Sequence, residues 1–322
     1  MRTSNAIALA VLLPLAACSH MQPPASADKP NIVFILADDL GYGDTGVYGS
    51  TVIRTPHIDA LAADGVRMTE GYVSHPVCSP SRAGLMTGQY QERHGWEFNP
   101  AGRDAQSGMN TSVRTMPMEM KSLGYATGMI GKWHLGTQRQ YHPLSRGFDE
   151  YFGVLEGGTT YIDSREPGVE YGSLHGEHGP TERPNQLYRG FEPVEVDRYV
   201  TDVFTEEAIA FIDRHRHEPF FLYLSHIAPH TPLQATAKYL DRYRDIADER
   251  TRVYAAMVSA LDDSVGAVVA ELKSLGMYEN TLIVFMSDNG CASYVRGACS
   301  NAPLTGFKRY HQEGGIRVPL LV

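Results

Sequence analysis

The chain lacks any surplus of basic charge: 28 Lys and Arg stand against 37 Asp and Glu, a formal net charge of -9 over 322 residues. With no basic cluster either, the electrostatic footprint of a nucleic-acid binder is missing. No internal repeat is present. The early apolar run, residues 6–13, is too short to stay in a bilayer as a permanent helix. Cysteine is scarce, at four residues, so each needs its own account. No His or Cys cluster adjoins the acidic pairs described below, which argues against a zinc-type ligand set there. The remaining composition, 43% hydrophobic and 20% charged, is that of an ordinary globular protein, and the length allows a large core.

The N-terminus reads as an address. Arg2 precedes the apolar run, and Pro14-Leu15-Ala16-Ala17-Cys18 follows it, the pattern of an export signal. Leu-Ala-Ala-Cys resembles the lipobox of bacterial lipoproteins, which implies cleavage before Cys18, a lipid on that residue, and a periplasmic, outer-membrane or extracellular location. Secretion without a lipid is the alternative. Residues 1–17 are therefore expected to be a signal peptide and 18–30, rich in Pro, Ala and Ser, a tether. Cys291 and Cys299 are close enough to bridge a short loop in an oxidising compartment, and the sequence leaves open whether they do.

From residue 31 onward, short apolar runs alternate with helix-period segments. Strands are expected at 31–36, 126–130, 219–224, 281–286 and 318–322, and helices at 56–64, 200–211 and 254–275. Such alternation predicts an α/β fold, a mostly parallel central sheet with helices on both faces. Residues 156–195, rich in Gly, Glu, Pro, His and Tyr without a period, read as a functional surface loop.

Chemistry concentrates in a few places. In Cys78-Ser79-Pro80-Ser81-Arg82, a cysteine opens a helix start, where unpaired N–H groups and the helix dipole favour an anion. Taken alone, Cys78 could be a small buried thiol or a thiolate of lowered pKa. Asp38 and Asp39 end one predicted strand, and Asp288 and Asn289 end another. Ligands bind beyond the carboxyl ends of strands in open α/β sheets. Three carboxylates and an amide suit a hard cation, Ca²⁺ or alternatively Mg²⁺. Singly, each pair is also a common turn or cap.

Residues 78–88, closing on Thr87-Gly88, resemble the signature of the formylglycine-dependent sulfatases, members of the alkaline-phosphatase superfamily. Residues 124–134, ending Lys132-Trp133-His134, are similar to that family's second signature, and Ala228-Pro229-His230-Thr231-Pro232 to another of its segments. Lys308, ahead of Glu313-Gly314-Gly315, matches its second substrate-binding lysine. The resemblance implies that a maturation enzyme oxidises Cys78 to formylglycine. It implies Asp38, Asp39, Asp288, Asn289 and the modified residue 78 as metal ligands. Arg82, Lys132 and Lys308 would then surround the sulfate, with His230 as general acid and His134 assisting as base. A sulfated small molecule or glycan is the implied substrate. Set against this family, 31–322 is expected to be the catalytic domain, ending short of a smaller C-terminal subdomain.

Two alternatives stay open: a phosphodiesterase or phosphonate monoester hydrolase using the same modified cysteine, and a glycan-binding surface lipoprotein with an inactive site. A zinc phosphatase of the same superfold is disfavoured, since its His-rich ligands are missing. Among the other histidines, His215 and His217 are expected to be solvated and His226 a hydrogen-bonded neighbour of the site. His311 remains a candidate substrate contact.

Overall fold

Continuous apolar runs need cover on both faces, and a sheet between two layers of helices supplies it. The computed structural model describes residues 29–100, 106–163, 165–172 and 186–322. The segment read as signal and tether, Cys18 included, lies outside the described residues except for Lys29 and Pro30. The strands are β1 (Asn31–Ala37), β2 (Arg67–Met68), β3 (Ala126–Lys132), β4 (Glu150–Val154), β5 (Val169–Gly172), β6 (Leu187–Arg189), β7 (Glu192–Val194), β8 (Phe220–Ser225), β9 (Leu233–Thr236), β10 (Thr281–Ser287) and β11 (Leu320–Leu321). The α-helices are α1 (Pro56–Asp64), α2 (Cys78–Thr87), α3 (Met116–Ser122), α4 (Val200–Arg214), α5 (Ala237–Leu240), α6 (Glu249–Ser274) and α7 (Glu313–Ile316).

The main sheet runs β2-β11-β10-β1-β8-β3-β4-β6-β7. Its five central strands, β10 to β4, are parallel, and the strands flanking them pair antiparallel. The sequence pattern identified the central strands except β4. Of the flanking strands it identified β11, inside the run 318–322, and passed over β2, β6 and β7, because runs of two or three residues carry no period.

Alternate residues of each central strand enter opposite cores. Val33, Ile35 and Ala37 of β1 join Phe220, Leu222 and Leu224 of β8 beneath α4 and α6, whereas Phe34 and Leu36 join Phe221 and Tyr223 beneath α2 and α3. Helix α6 is long and apolar enough to cross a membrane by composition alone, but 72% of its most apolar window is buried against the sheet and its neighbours. It is a core helix. It also completes α1: the N–H groups of His57 and Ile58 donate to Asp262 of α6 at 3.0 and 2.8 Å, in place of a local cap.

Strand register then positions everything that follows. Ala37 pairs with Ser287, and Leu36 and Gly131 both pair with Ser225, so the carboxyl ends of β10, β1, β8 and β3 finish side by side. Gly131 has φ +107°, and a Cβ there would stand 1.8 Å from the Ser225 carbonyl oxygen. Only glycine lets β3 and β8 approach this closely just before Lys132. Cys291 and Cys299 form a disulfide in the loop after β10.

Candidate active site

Beyond those four strand ends lie the residues singled out from sequence. Asp38 and Asp39 leave β1, Lys132 closes β3 with His134 two residues on, the 226–230 segment leaves β8, and Asp288 and Asn289 leave β10. Cys78 is the first residue of α2, with the thiol 3.4 Å from Asp38 Oδ1 and 3.7 Å from Asp39 Oδ1. Residues up to 269 positions apart converge here: Lys308 Nζ lies 2.6 and 2.7 Å from the two carboxylate oxygens of Asp39.

The charges interlock. Lys132 Nζ donates to Asp38 Oδ2 at 2.5 Å. Arg82, one turn along α2 from Cys78, donates Nε to Asp288 Oδ2 at 2.9 Å and Nη1 to Ser225 Oγ at 2.6 Å. Asp38, Lys132 and Arg82 are all at most 1% exposed. Buried ions of this kind persist only when paired and hydrogen-bonded. Ser225 was not apparent from sequence, although it anchors the guanidinium. Ser79, likewise missed, donates to the His134 carbonyl and receives Trp96 Nε1 at 2.8 Å, tying α2 to the turn after β3.

Environment divides the titrating groups. Burial opposes charge on Cys78, but the Lys132 and Lys308 cations outweigh it and draw its thiol down to about 7. Position 78 therefore sits in a field that favours a negative atom. His134 is pushed well below the ordinary histidine value by burial and by the cations around it, Lys132 first, so it is neutral. Its Nδ1 is buried without a hydrogen-bond partner among the described residues. For His230 burial works the other way from the result: the carboxylates of Asp38 and Asp39 hold its pKa above the usual value. His230 Nδ1 lies 2.6 Å from the Thr231 carbonyl and Nε2 3.7 Å from Asp39 Oδ2. The two site histidines thus differ in charge preference: burial and cations favour the neutral ring of His134, and carboxylates favour the charged ring of His230.

The donor set fits a hard cation on an observation of its own. Asn289 Nδ2 donates to Asp39 Oδ1 at 2.7 Å and to the Gly290 carbonyl at 2.9 Å, which orients the amide. Its Oδ1 is then buried with no hydrogen-bond partner among the described residues. An orphaned carbonyl oxygen beside three carboxylates is a natural cation ligand. Burial also raises Asp38, and burial with the neighbouring Asp38 charge raises Asp288 to about 6, the cost of taking carboxylates out of water. Asp38, Asp39, Cys78 and His230 place ligand-type atoms within 4.8 Å of one another.

The irregular 156–195 stretch contributes at its start. Gly157 lies against His134, and a Cβ there would stand 2.8 Å from Nε2; Gly158 lies against His230. Tyr161 donates to the His230 carbonyl at 2.8 Å. Residues 164 and 173–185 of that stretch lie outside the described residues. Tyr294 at the rim, unmarked in the sequence, donates to Asp39 Oδ2 at 3.4 Å.

Other histidines fall where packing puts them. His226 is a hydrogen-bonded neighbour as expected, with Nε2 2.9 Å from Ser264 Oγ. The expectation that His215 is solvated is corrected: its ring nitrogens lie 2.8 Å from Glu150 and Glu218 and its ring rests 4.5 Å from Phe211. The helix α4 ends against β4, so the ring is half-buried between carboxylates. His217 is exposed. His311 is exposed, edge-on to His75 at 5.1 Å.

Comparison with known proteins accords with this geometry. The family model described as Sulfatase matches residues 30–322. Arylsulfatase J of Mus musculus is 38% identical over 299 residues, covering 91% of this chain and 48% of its own length. N-acetylgalactosamine-6-sulfatase of Homo sapiens is 36% identical over 326 residues, covering 94% of this chain and 58% of its own. A solved structure, Ps i-CgsB in complex with k-i-k-neocarrahexaose, superposes with a TM-score of 0.84 at 41% identity, covering 91% of this chain and 65% of that one. The chain thus spans about half to three fifths of the length of these curated relatives.

Proposed function

Because the chain belongs to the sulfatase family, we propose that it hydrolyses sulfate esters of carbohydrates outside the cytoplasm, with Cys78 converted to formylglycine as the nucleophile. The observation that carries this reading is the placement of Cys78 at a helix N-terminus, among three buried carboxylates and three buried cations. A hydrated aldehyde at position 78 carries two hydroxyls on one carbon. One, having lost its proton to solvent, attacks sulfur, the S–O bond to the alcohol breaks, and a sulfate ester of residue 78 results. His230 gives its proton to the departing alcohol. The second hydroxyl then loses its proton, with His134 assisting, so that the C=O re-forms and sulfate leaves. A plain serine or thiol has no such exit.

Asp38, Asp39, Asp288 and Asn289, with residue 78, would hold a Ca²⁺ or Mg²⁺ ion. When bound, such an ion lowers the pKa of the attacking hydroxyl and offsets charge on the sulfate. Charge counting supports this. Leaving His230 aside, the three Asp and the three cations Arg82, Lys132 and Lys308 cancel. A divalent ion and the proton on His230 then leave three positive charges, which an ionised hydroxyl at 78 and a singly charged sulfate ester reduce to one. Lys132 and Lys308 bind the transferring oxygens, and Arg82 orients Asp288.

Sulfated carbohydrate as substrate class is supported by the names of two similar proteins, N-acetylgalactosamine-6-sulfatase and the neocarrahexaose complex. Export, with lipid on Cys18, rests on the N-terminal pattern and accords with the Cys291–Cys299 disulfide. The test is co-production with a formylglycine-generating enzyme, followed by release of 4-nitrophenol from 4-nitrophenyl sulfate. Faster turnover of bis(4-nitrophenyl) phosphate would favour the phosphodiesterase alternative. Tight binding of glycans with no turnover of either ester would favour the inactive binding lipoprotein.

A further inference from the structure

Three non-glycine residues among those described have a left-handed φ: Asp39 at +66°, His134 at +62° and Arg309 at +77°. The first two are site residues. Arg309, next to Lys308, has had no role so far. A side chain as long as arginine rarely occupies that region without a reason elsewhere in the structure. The reason is not a local ion pair. Arg309 is exposed, and no salt bridge or side-chain hydrogen bond of its guanidinium occurs among the described residues. Its backbone N–H donates to the Pro76 carbonyl at 2.8 Å, two residues before Cys78, so the turn is tied to the catalytic helix. Its guanidinium carbon lies 6.0 Å from the ring of Tyr294, whose hydroxyl reaches Asp39. Tyr294 is 38% exposed, a ring face at the rim of an otherwise buried site.

Resting on the sulfatase reading, we propose that Arg309 and Tyr294 form a leaving-group subsite specific for polyanionic carbohydrate. The Tyr294 ring supports the sugar that departs as the alcohol, and Arg309 binds a second sulfate or carboxylate on it. The buried cations of the site, Arg82, Lys132 and Lys308, are paired with its carboxylates and face the reacting sulfate, so a second anionic group needs a cation outside that network. Arg309 is placed to supply it. A planar guanidinium beside an aromatic face also suits bidentate binding of an oxyanion above a sugar ring.

The experiment uses Arg309→Gly. Glycine occupies a left-handed φ without strain, so this variant relaxes the backbone while removing the guanidinium. Inhibition of 4-nitrophenyl sulfate turnover by low-mass dextran sulfate is measured, with neutral dextran as control, and binding is measured by calorimetry. Dextran sulfate is expected to compete and dextran not to. Arg309→Gly should weaken dextran sulfate binding by about tenfold, the value of one charge-assisted contact. That loss should exceed any change in KM for 4-nitrophenyl sulfate at least fivefold, with an unfolding midpoint equal to or above that of the parent. Arg309→Lys should fall between the two. Equal losses for both ligands, unchanged dextran sulfate affinity, or a lowered unfolding midpoint would overturn the proposal. A matured parent that binds dextran sulfate through Arg309 but turns over no aryl sulfate would sink the activity reading and leave the subsite standing.

Discussion

Asn289 and Asp39, 250 residues apart, meet at 2.7 Å, with the amide nitrogen donating and the amide oxygen buried without a partner among the described residues. An unsatisfied acceptor among carboxylates is costly unless a cation completes it. Adding Ca²⁺ should raise the unfolding free energy by roughly 2.7 kcal/mol at about 100 times Kd, and the midpoint with it. Asn289→Ala should abolish most of that ion-dependent gain. Identical calcium responses in parent and variant would rule Asn289 out as a ligand.

Position 78 is where chemistry and packing separate. The peptide containing it, taken from protein matured by the modifying enzyme, should show by mass spectrometry that residue 78 has lost its thiol. Cys78→Ser and Cys78→Ala should lose turnover entirely while keeping the circular dichroism spectrum of the parent, since the change is small. Full activity in either variant would remove the aldehyde from the mechanism.

Arg82 holds Asp288 from inside the core, with no solvent to replace it. Arg82→Ala should cost about 3–5 kcal/mol in urea unfolding, the usual result of leaving a buried carboxylate unpaired. A loss under about 1 kcal/mol would mean that water enters the site freely.

Gly157 faces His134 so closely that a methyl group would meet Nε2 at 2.8 Å. Gly157→Ala should lower kcat by at least about tenfold, as misplacement of a reacting group by a fraction of an ångström does. The unfolding midpoint should hardly move, because the glycine lies at the site and not in the core. A normal kcat would show that His134 does not serve as base from this position.

His226 is fully buried, and burial pushes its pKa from 6.5 down to about 3. A pKa lower in the folded than in the unfolded state gives stability that is complete above pH 6.5 and is lost as pH falls toward 3. The slope from this one group is at most roughly 1.4 kcal/mol per pH unit. His226→Gln, which can keep a bond to Ser264, should flatten stability against pH in that window. A variant curve parallel to the parent would mean that the ring titrates alike in the folded and unfolded chains.

Much of this was legible along the chain. Asp38 and Asp39 stand out because they end an apolar strand, as do Asp288 and Asn289, and strand ends carry ligands in parallel sheets. The Cys78 to Gly88 run is local chemistry, readable without any fold. Ser225, Ser79, Gly157 and Tyr294 were not legible in the same way. Each acts on a residue far away in sequence, and none differs by itself from any serine, glycine or tyrosine on a surface loop. His215 was misjudged for that reason: charged neighbours in sequence suggested solvent, but Glu150 of β4 meets it.

Local patterning determined that this chain builds parallel strands between helices, and which short segments carry reactive groups, because alternation and turn chemistry act over a few residues. Only the tertiary structure decided that four strand ends finish level, that Arg82 and Lys132 pair with carboxylates, and that the pKa of one site histidine is lowered while that of the other is raised. Those outcomes depend on distance and burial, which Coulomb forces and desolvation read through space and which no linear spacing encodes.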